Sequence, residues 1–274
     1  MIEIITPGAL ASIQDIGRRG YAALGVPRSG AFDRGAAALA NRLVGNDTRA
    51  AVIETTMGGL RVRIQDAATL ALTGAVCAGN LDWGVPVTVA RGTVLRLDPP
   101  RSGLRSYLAV RGGFTVAAVL GSRSTDLLSG LGPRPLQSGD LLPVGPLAPA
   151  DVSATAAVLG PTRRTLRVVA GPREDWFTTE ATTLLTTMGW TVRGECDRVG
   201  IRLDGPRLER SRMSELPSEA MLPGALQVPP DGRPILLGPD CPVTGGYPVI
   251  AVVRTADLDA AAQLRPGDQL RFSR

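Results

Sequence analysis

The chain reads as a mainly β protein with a few short helices, and three observations lead there. Its 274 residues include 33 glycines and 22 prolines, so turns are closely spaced. The stretches between those turns are short and rich in Val, Leu, Ile and Thr, residues that suit a pleated, half-buried surface. Leu60-Arg61-Val62-Arg63-Ile64 alternates apolar and charged residues with the period of two that a strand buried on one face requires.

Taken in order, the first helix is expected after Asp33. Ala36, Leu39, Ala40, Leu43 and Val44 form one apolar stripe, Asp33 is suited to cap its start, and Gly45 stops it. Strands are expected at 60–64, 68–72, 85–90, 94–97, 106–110 and 166–170. A second helix spans 179–188, with Ala181, Leu184, Leu185 and Met188 on one face and Gly189 at its end. The apolar runs 235–237 and 249–253 read as buried strands, and a short third helix follows Asp257 up to Leu264. Residues 91–97, 138–142 and 266–272 share one pattern, a Gly turn, then a polar residue, then a strand; common turn chemistry and a duplicated barrel both account for it. Residues 143–164 are rich in Pro, Ala, Ser and Thr without an amphipathic period. The expected division is therefore a domain at 1–150, a linker at 151–163 and a domain at 164–274, with a cleft where the two domains meet.

Composition removes whole chemistries. All 30 cationic side chains are arginine, because the chain has neither lysine nor histidine. No imidazole shuttle, Ser-His pair, His-ligated zinc, Schiff base or phosphate-binding P-loop lysine exists in this chain. Acid–base work falls to Asp, Glu, Tyr or Cys, and anion binding to Arg and backbone N–H groups. Three widely spaced cysteines, Cys77, Cys196 and Cys241, suggest neither a disulfide frame nor a metal site, so no metal is expected on this chain. Cys196 stands beside Asp197-Arg198, a setting open to a reactive thiolate or to an ordinary buried thiol.

No apolar run approaches the ~18 residues of a membrane span, and the start lacks a basic and an apolar signal region, so a cytoplasmic protein without a membrane partner is expected. The net charge of +5 invites a nucleic-acid reading. Arginines between Arg193 and Arg212 alternate with Glu195, Asp197, Asp204 and Glu209, and stacking aromatics are scarce, so nucleic acid is not an expected partner.

Candidate site residues fall in four segments. Residues 6–33, from Thr6-Pro7-Gly8 through Gln14-Asp15-Ile16-Gly17-Arg18 to Ser29-Gly30 and Asp33, are dense in glycine and polar groups; they read as unable to build a hydrophobic strand and as apt to bring backbone N–H groups to a ligand. Asp15 and Arg18 are spaced to pair, while Arg18 also suits a substrate carboxylate or phosphate; an ordered loop with Asp33 only capping a helix accounts for the same residues. Gly121-Ser122-Arg123-Ser124-Thr125 sets an arginine among hydroxyls, as an oxyanion site or a surface turn would. Residues 197–202, beginning Asp197-Arg198, read as one strand face carrying alternate polar side chains. Ser218-Glu219, Gln227 and Thr244-Gly245-Gly246-Tyr247 follow, the Gly pair being suited to an N–H nest for an anion and equally to plain loop filling. Pro230-Asp231-Gly232 reads as a tight turn.

Together with Leu72-Thr73-Gly74-Ala75 and Leu108-Ala109-Val110-Arg111-Gly112-Gly113, these motifs resemble, over nearly the whole chain, the biotin-dependent carboxyltransferase-like family, also named allophanate hydrolase subunit 2 or the 5-oxoprolinase C subunit (the Kip-type A subunit). The resemblance implies two cyclophilin-like β-barrel domains joined at an angle. It implies two partners: the Kip-type inhibitor, which is the 5-oxoprolinase B subunit, and a lactam-handling A subunit. The activity implied is ATP-dependent opening of the 5-oxoproline lactam to glutamate, an amide hydrolysis performed only in complex, with ATP and its Mg as cofactors. On that reading Asp15, Asp197 or Glu219 is the base. Arg18 or Arg123 binds the substrate carboxylate, Thr244, Gly245 and Gly246 receive the activated oxygen, and Ser29, Arg198, Gln227 and Tyr247 complete the binding set. The alternatives are carboxyl transfer from biotin to a urea-type nitrogen, with the biotin on another chain because lysine is absent here, and a regulator that binds a kinase-inhibitor partner without chemistry. True allophanate hydrolysis by a Ser-Ser-Lys set is set aside for the same lack of lysine. The chain departs from the family pattern at Cys241-Pro242-Val243, where Gln-Thr is usual before Thr-Gly-Gly-Tyr, at Ala220, where glycine is usual, and at Val199, where methionine is common.

Overall fold

A computed structural model of the chain describes residues 1–147, 150–152, 156–157 and 163–274, and most of the expected linker at 151–163 lies outside them. The chain forms two compact units. The first comprises Met1–Arg18, Ser29–Asp126 and Gly130–Pro161; the second comprises Arg19–Arg28, Leu127–Ser129 and Thr162–Arg274. The expectation of a single cut near residue 150 is thus corrected at two short segments, which belong with the C-terminal part.

In the first unit, β1 (Ile2–Pro7) and β2 (Leu10–Gln14) precede α1 (Arg34–Leu43). Then come β3 (Val52–Thr56), β4 (Leu60–Ile64), β5 (Ala68–Gly74), β6 (Cys77–Gly79), β7 (Pro86–Val89), β8 (Val94–Pro100), β9 (Arg105–Val110) and β10 (Leu141–Leu142). They make two five-stranded sheets, in the orders β10-β1-β4-β8-β6 and β2-β3-β9-β5-β7. Ile4, Val62 and Leu95 of one sheet and Ile13, Ile53, Leu72 and Leu108 of the other share one core, so the two sheets pack against each other around it. Each such side chain removed from water contributes about 1.5–3 kcal/mol. The opposite face of the second sheet carries Val52, Ala71, Tyr107 and Ala109, against which α1 lays Ala37, Ala40 and Leu43. β9 is therefore buried on both faces at all six positions. The small side chains of Ala71 and Ala109 allow the helix its close approach. Asp33 caps α1 as expected, its carboxylate accepting from the Ala36 N–H at 2.8 Å.

The polar stretch from Thr6 was expected to exclude strands, and this is corrected: Thr6 and Pro7 end β1 and Leu10–Gln14 is β2. Gly8 makes the turn between them at φ 74°, where a Cβ would strike the Gly58 carbonyl oxygen. The glycine-rich loop proper begins at Asp15.

The second unit contains β11 (Thr165–Ala170), α2 (Thr179–Thr187), β12 (Gly189–Val192), β13 (Gly200–Asp204), β14 (Glu219–Ala220) and β15 (Ala225–Gln227). They are followed by β16 (Ile235–Leu237), β17 (Thr244–Gly245), β18 (Val249–Val253), α3 (Leu258–Ala261) and β19 (Gln269–Ser273). Seven of these strands form a closed barrel in the order β11-β18-β15-β16-β13-β12-β19, with β14 and β17 paired as a separate ribbon. Leu166, Trp190, Leu203, Leu226, Leu236, Ile250 and Phe272 fill the interior. The Trp190 indole N–H donates to the Leu185 carbonyl at 3.0 Å, tying the last turn of α2 to the barrel. The fold is mainly β, with cyclophilin-like barrels as its two units.

One buried carboxylate fixes where β18 hands over to α3. Asp257 accepts from the Arg167 backbone N–H at 2.7 Å and from the Arg167 guanidinium at 2.9 and 2.7 Å. The Arg167 hydrogen bond leads in pulling the Asp257 carboxyl down to about 2 against the opposing effect of burial. A carboxyl depressed in the folded state stabilises above its unfolded pKa, and that stabilisation fades as the pH falls toward 2. The shift corresponds to about 2 kcal/mol. Asp257→Asn should therefore lower the unfolding free energy by about that much at pH 7 and by far less near pH 2, as measured by denaturant titration at both pH values.

Candidate functional site

In the first unit the loop after β2 is organised around Asp15. Its carboxylate accepts from the Gly17 N–H at 2.8 Å, the Ser122 hydroxyl at 2.7 Å, the Ser124 hydroxyl at 2.6 Å and the Arg123 N–H at 2.6 Å. Its backbone carbonyl accepts from the Ala31 N–H at 2.9 Å. Arg18 is 2% exposed and donates through Nε to the Val119 carbonyl at 3.2 Å and through Nη2 to the Ser124 carbonyl. Ser29 donates to the Thr125 carbonyl at 3.0 Å, and the same oxygen accepts from Gln14 at 3.0 Å. The chain can turn this tightly because Ser29 lies at φ 53° and Gly30 at φ 96°, where a Cβ on residue 30 would sit 2.8 Å from the Gly17 nitrogen. Leu120 and Gly121, both at positive φ, form the two-residue turn from which Ser122 and Arg123 emerge.

Asp15, Arg18, Ser29 and Arg123 are thus brought together, with different freedom. The Ser122 and Ser124 hydroxyls spend their protons on Asp15, so the oxyanion role expected of that segment does not fall to them. Arg123 is half-buried and anchored through Nε to the Val116 carbonyl at 2.9 Å. Its two terminal nitrogens have no hydrogen-bond partner among the described residues. Beside the knot lies a cleft of about 310 Å³ lined by Asp15, Ile16, Ala31, Arg34 and Thr48.

The second unit gathers another set. β14 pairs with β17, setting Glu219 opposite Gly245 and Ala220 opposite Thr244. Gln227, 8% exposed at the end of β15, donates to the Tyr247 carbonyl at 3.3 Å. A Cβ on Gly245 would stand 2.7 Å from the Gln227 amide nitrogen, so any larger residue there would displace the Gln227 side chain. Glu219, Gln227, Thr244, Gly245, Gly246 and Tyr247 therefore form one cluster. The expected N–H nest is corrected: Thr244–Gly245 runs as strand, and neither Gly245 nor Gly246 takes the positive φ that a nest alternates with αR.

Two neighbours in sequence part company here. Asp197 is exposed, and its carboxylate accepts from the Val199 and Gly200 N–H groups at 2.7 and 3.0 Å. Arg198 is 1% exposed and forks onto Asp240, Nε to Oδ2 and Nη2 to Oδ1, each at 2.9 Å. The expected single strand face over 197–202 is corrected, because 197–199 is a turn and β13 starts at Gly200. Asp240 also accepts from the Leu127 N–H at 3.1 Å, and its own N–H donates to the Arg198 carbonyl. The pair pins the segment leading to residues 244–247.

Sequence reasoning passed over Arg173, whose Nε donates to Glu219 at 2.8 Å. That hydrogen bond leads in holding the Glu219 carboxyl below its ordinary range. Arg173 stands 46 residues from Glu219 with no motif connecting them. Among the described residues, no three His, Cys, Asp or Glu side chains come together as a metal site. No helix of the described residues is long and apolar enough to cross a membrane.

Asp15→Asn should destabilise the protein by about 3 kcal/mol, since hydrogen bonds to a charged acceptor are worth about 1.5–3 kcal/mol each and several lose their charge at once. Arg123→Gln should cost about 1 kcal/mol or less, the worth of one hydrogen bond. Equilibrium unfolding of both variants separates the saturated group from the open one.

Residues 24–274 match the family model described as the carboxyltransferase domain, subdomain A and B. The chain is 38% identical to the 5-oxoprolinase C subunit of Escherichia coli K12, across 99% of this chain and 90% of that protein. It is 35% identical to the 5-oxoprolinase C subunit of Haemophilus influenzae, with the same coverage. Among solved structures, the urea amidolyase of K. lactis superposes with a TM-score of 0.92 at 31% identity, covering 99% of this chain but 18% of that one. The chain is therefore a member of the carboxyltransferase subdomain A and B family.

Proposed function

We propose that this protein is one component of an ATP-dependent 5-oxoprolinase that opens the 5-oxoproline lactam to glutamate, and that it works only in complex. The observation that carries this reading is the 38% identity to the 5-oxoprolinase C subunit over 99% of this chain and 90% of that protein. The likeness to urea amidolyase is confined to 18% of a much longer chain.

An unactivated lactam resists water, and phosphorylation of its oxygen by ATP supplies the missing reactivity. This chain's own residues suit binding and orientation. Of the three carboxylates expected as base, Asp15 is saturated with donors and Asp197 caps a turn. Glu219 is held ionised by Arg173, which makes it a weak proton acceptor at neutral pH. The base accordingly comes from a partner protein, while Glu219 positions the β14–β17 ribbon. Arg123, with its open guanidinium face, meets an anionic group of substrate or nucleotide.

Carboxyl transfer to a urea-type nitrogen is the second reading, favoured by the carboxyltransferase family model. It requires biotin carried on another chain, since this one has no lysine. Co-expression with the candidate partner proteins, supplied with ATP and 5-oxoproline, should release glutamate only when this chain is present. Product formed only from carboxybiotin and urea would move the assignment to carboxyl transfer, and tight assembly without either product would leave a binding protein. Within an active complex, Arg123→Ala should raise KM at least tenfold. Glu219→Gln should lower kcat without removing the acid limb of its pH profile, whereas a catalytic base would take that limb with it.

A further inference from the structure

The buried or half-buried arginines of the second unit's site differ in how their charge is met. Arg198 and Arg173 each fork onto a carboxylate. Arg210 forms no ion pair with any described residue. It is half-buried, donates through Nη2 to the Val228 carbonyl, and holds its Nε out of water without a hydrogen-bond partner. Val228 in turn donates its N–H to the Pro248 carbonyl at 3.0 Å, next to the Tyr247 carbonyl that Gln227 occupies. Arg210 is therefore tethered where β15 meets the 244–248 segment. On its other side the backbone is fixed by the Phe177–Arg210 bridge and by the Ser211 N–H donating to the Trp176 carbonyl at 2.8 Å. The Trp176 indole nitrogen, on a side chain only 7% exposed, is a second buried donor without a partner.

A guanidinium drawn partly out of water, with a donor unspent and no counter-charge, is costly unless an anion completes it. Burial pulls its pKa below the ordinary arginine value, and the Tyr247 phenol opposes that. We propose that Arg210 binds the carboxylate of a small organic acid at the second unit, beside Gln227 and Tyr247. Gln227 donates its amide N–H to the Tyr247 carbonyl and keeps its amide oxygen as an acceptor, the complement of a lactam N–H. That 5-oxoproline is the acid rests on the reading above; that a carboxylate binds here does not.

The test is isothermal titration of the full chain, alone and co-purified with its partner proteins, against 5-oxoproline, glutamate, acetate and 2-pyrrolidinone, the lactam without a carboxylate. Wild type should bind 5-oxoproline, and 2-pyrrolidinone at least tenfold more weakly. Arg210→Gln should lose at least tenfold in affinity for 5-oxoproline but not for 2-pyrrolidinone, and Arg210→Lys should recover part of it. A thermal midpoint within a few degrees of wild type for either variant excludes unfolding as the cause. Binding of glutamate or acetate through Arg210, with 5-oxoproline ignored, would keep the site and remove the substrate. Unchanged affinity in Arg210→Gln, or no carboxylate bound by wild type in either state, would overturn the proposal.

Discussion

A buried guanidinium cannot shed its proton and presents five N–H donors in one plane, so it folds only where acceptors converge on it. In a chain without lysine or histidine, every buried cationic side chain imposes that demand. Arg18 meets it with the carbonyls of Val119 and Ser124, more than 100 residues away. Arg198 meets it with Asp240, 42 residues away, and Arg105 with Glu54 at 3.7 Å and the face of Phe32 at 4.5 Å. Arg18 and Arg198 are ties between loops far apart in sequence that no strand ladder holds, while Arg105 and Glu54 reinforce the paired strands β9 and β3. Asp15 is the mirror case, a carboxylate that folds only where donors converge.

This demand divides the polar residues by their remaining capacity. Asp15 is saturated with donors and Arg198 and Asp240 satisfy each other, so removing one member of either set would leave its partners without their charged counterpart. They hold the shape of the loops. Arg123, in the first unit, and Arg210, in the segment after β13 of the second, retain unspent donors. The proposed ligand-binding role belongs to the second group and not to the first, although the first is more conspicuous in the sequence. Motif density marks where backbone is difficult to fold, and difficult backbone recruits charged side chains for its own needs.

The regular elements were legible where periodicity and length sufficed. The strands at 60–64, 235–237 and 249–253 and the Asp33-capped helix lie where alternation, apolar runs and capping indicate. β15, with three residues, and β14 and β17, with two each, carry too few residues to show any period, and they exist because the barrel and its ribbon supply their partners. The site was legible in its membership more than in its roles. Glycine density located the loop that joins Asp15, Arg18, Ser29 and Arg123, but nothing in the order of residues says that two serines turn toward Asp15. Asp197 and Arg198 are adjacent yet end respectively in solvent and in the interior, because a turn precedes β13. Arg173 and Arg210 owe their places to pairings that only the folded chain creates.

The departures from the family pattern can be read on the same terms. Cys241 is 4% exposed and packs with Met221, Leu237 and Val249, so the change there alters apolar backing. Ala220 lies on the β14 ribbon opposite Thr244, and Val199 sits in the Asp197-capped turn. Pro242 is exposed and has no N–H to donate, while Val243 accepts from the Met221 N–H at 2.9 Å through its carbonyl, a bond that any residue would make. None of these positions supplies a side chain to the Glu219–Arg173 pair, to Gln227 or to Arg210. The departures thus fall on apolar backing, on the β14 ribbon and on the turn before β13, where they alter how the 244–247 segment and its neighbours are supported and leave the charged groups of the second unit untouched.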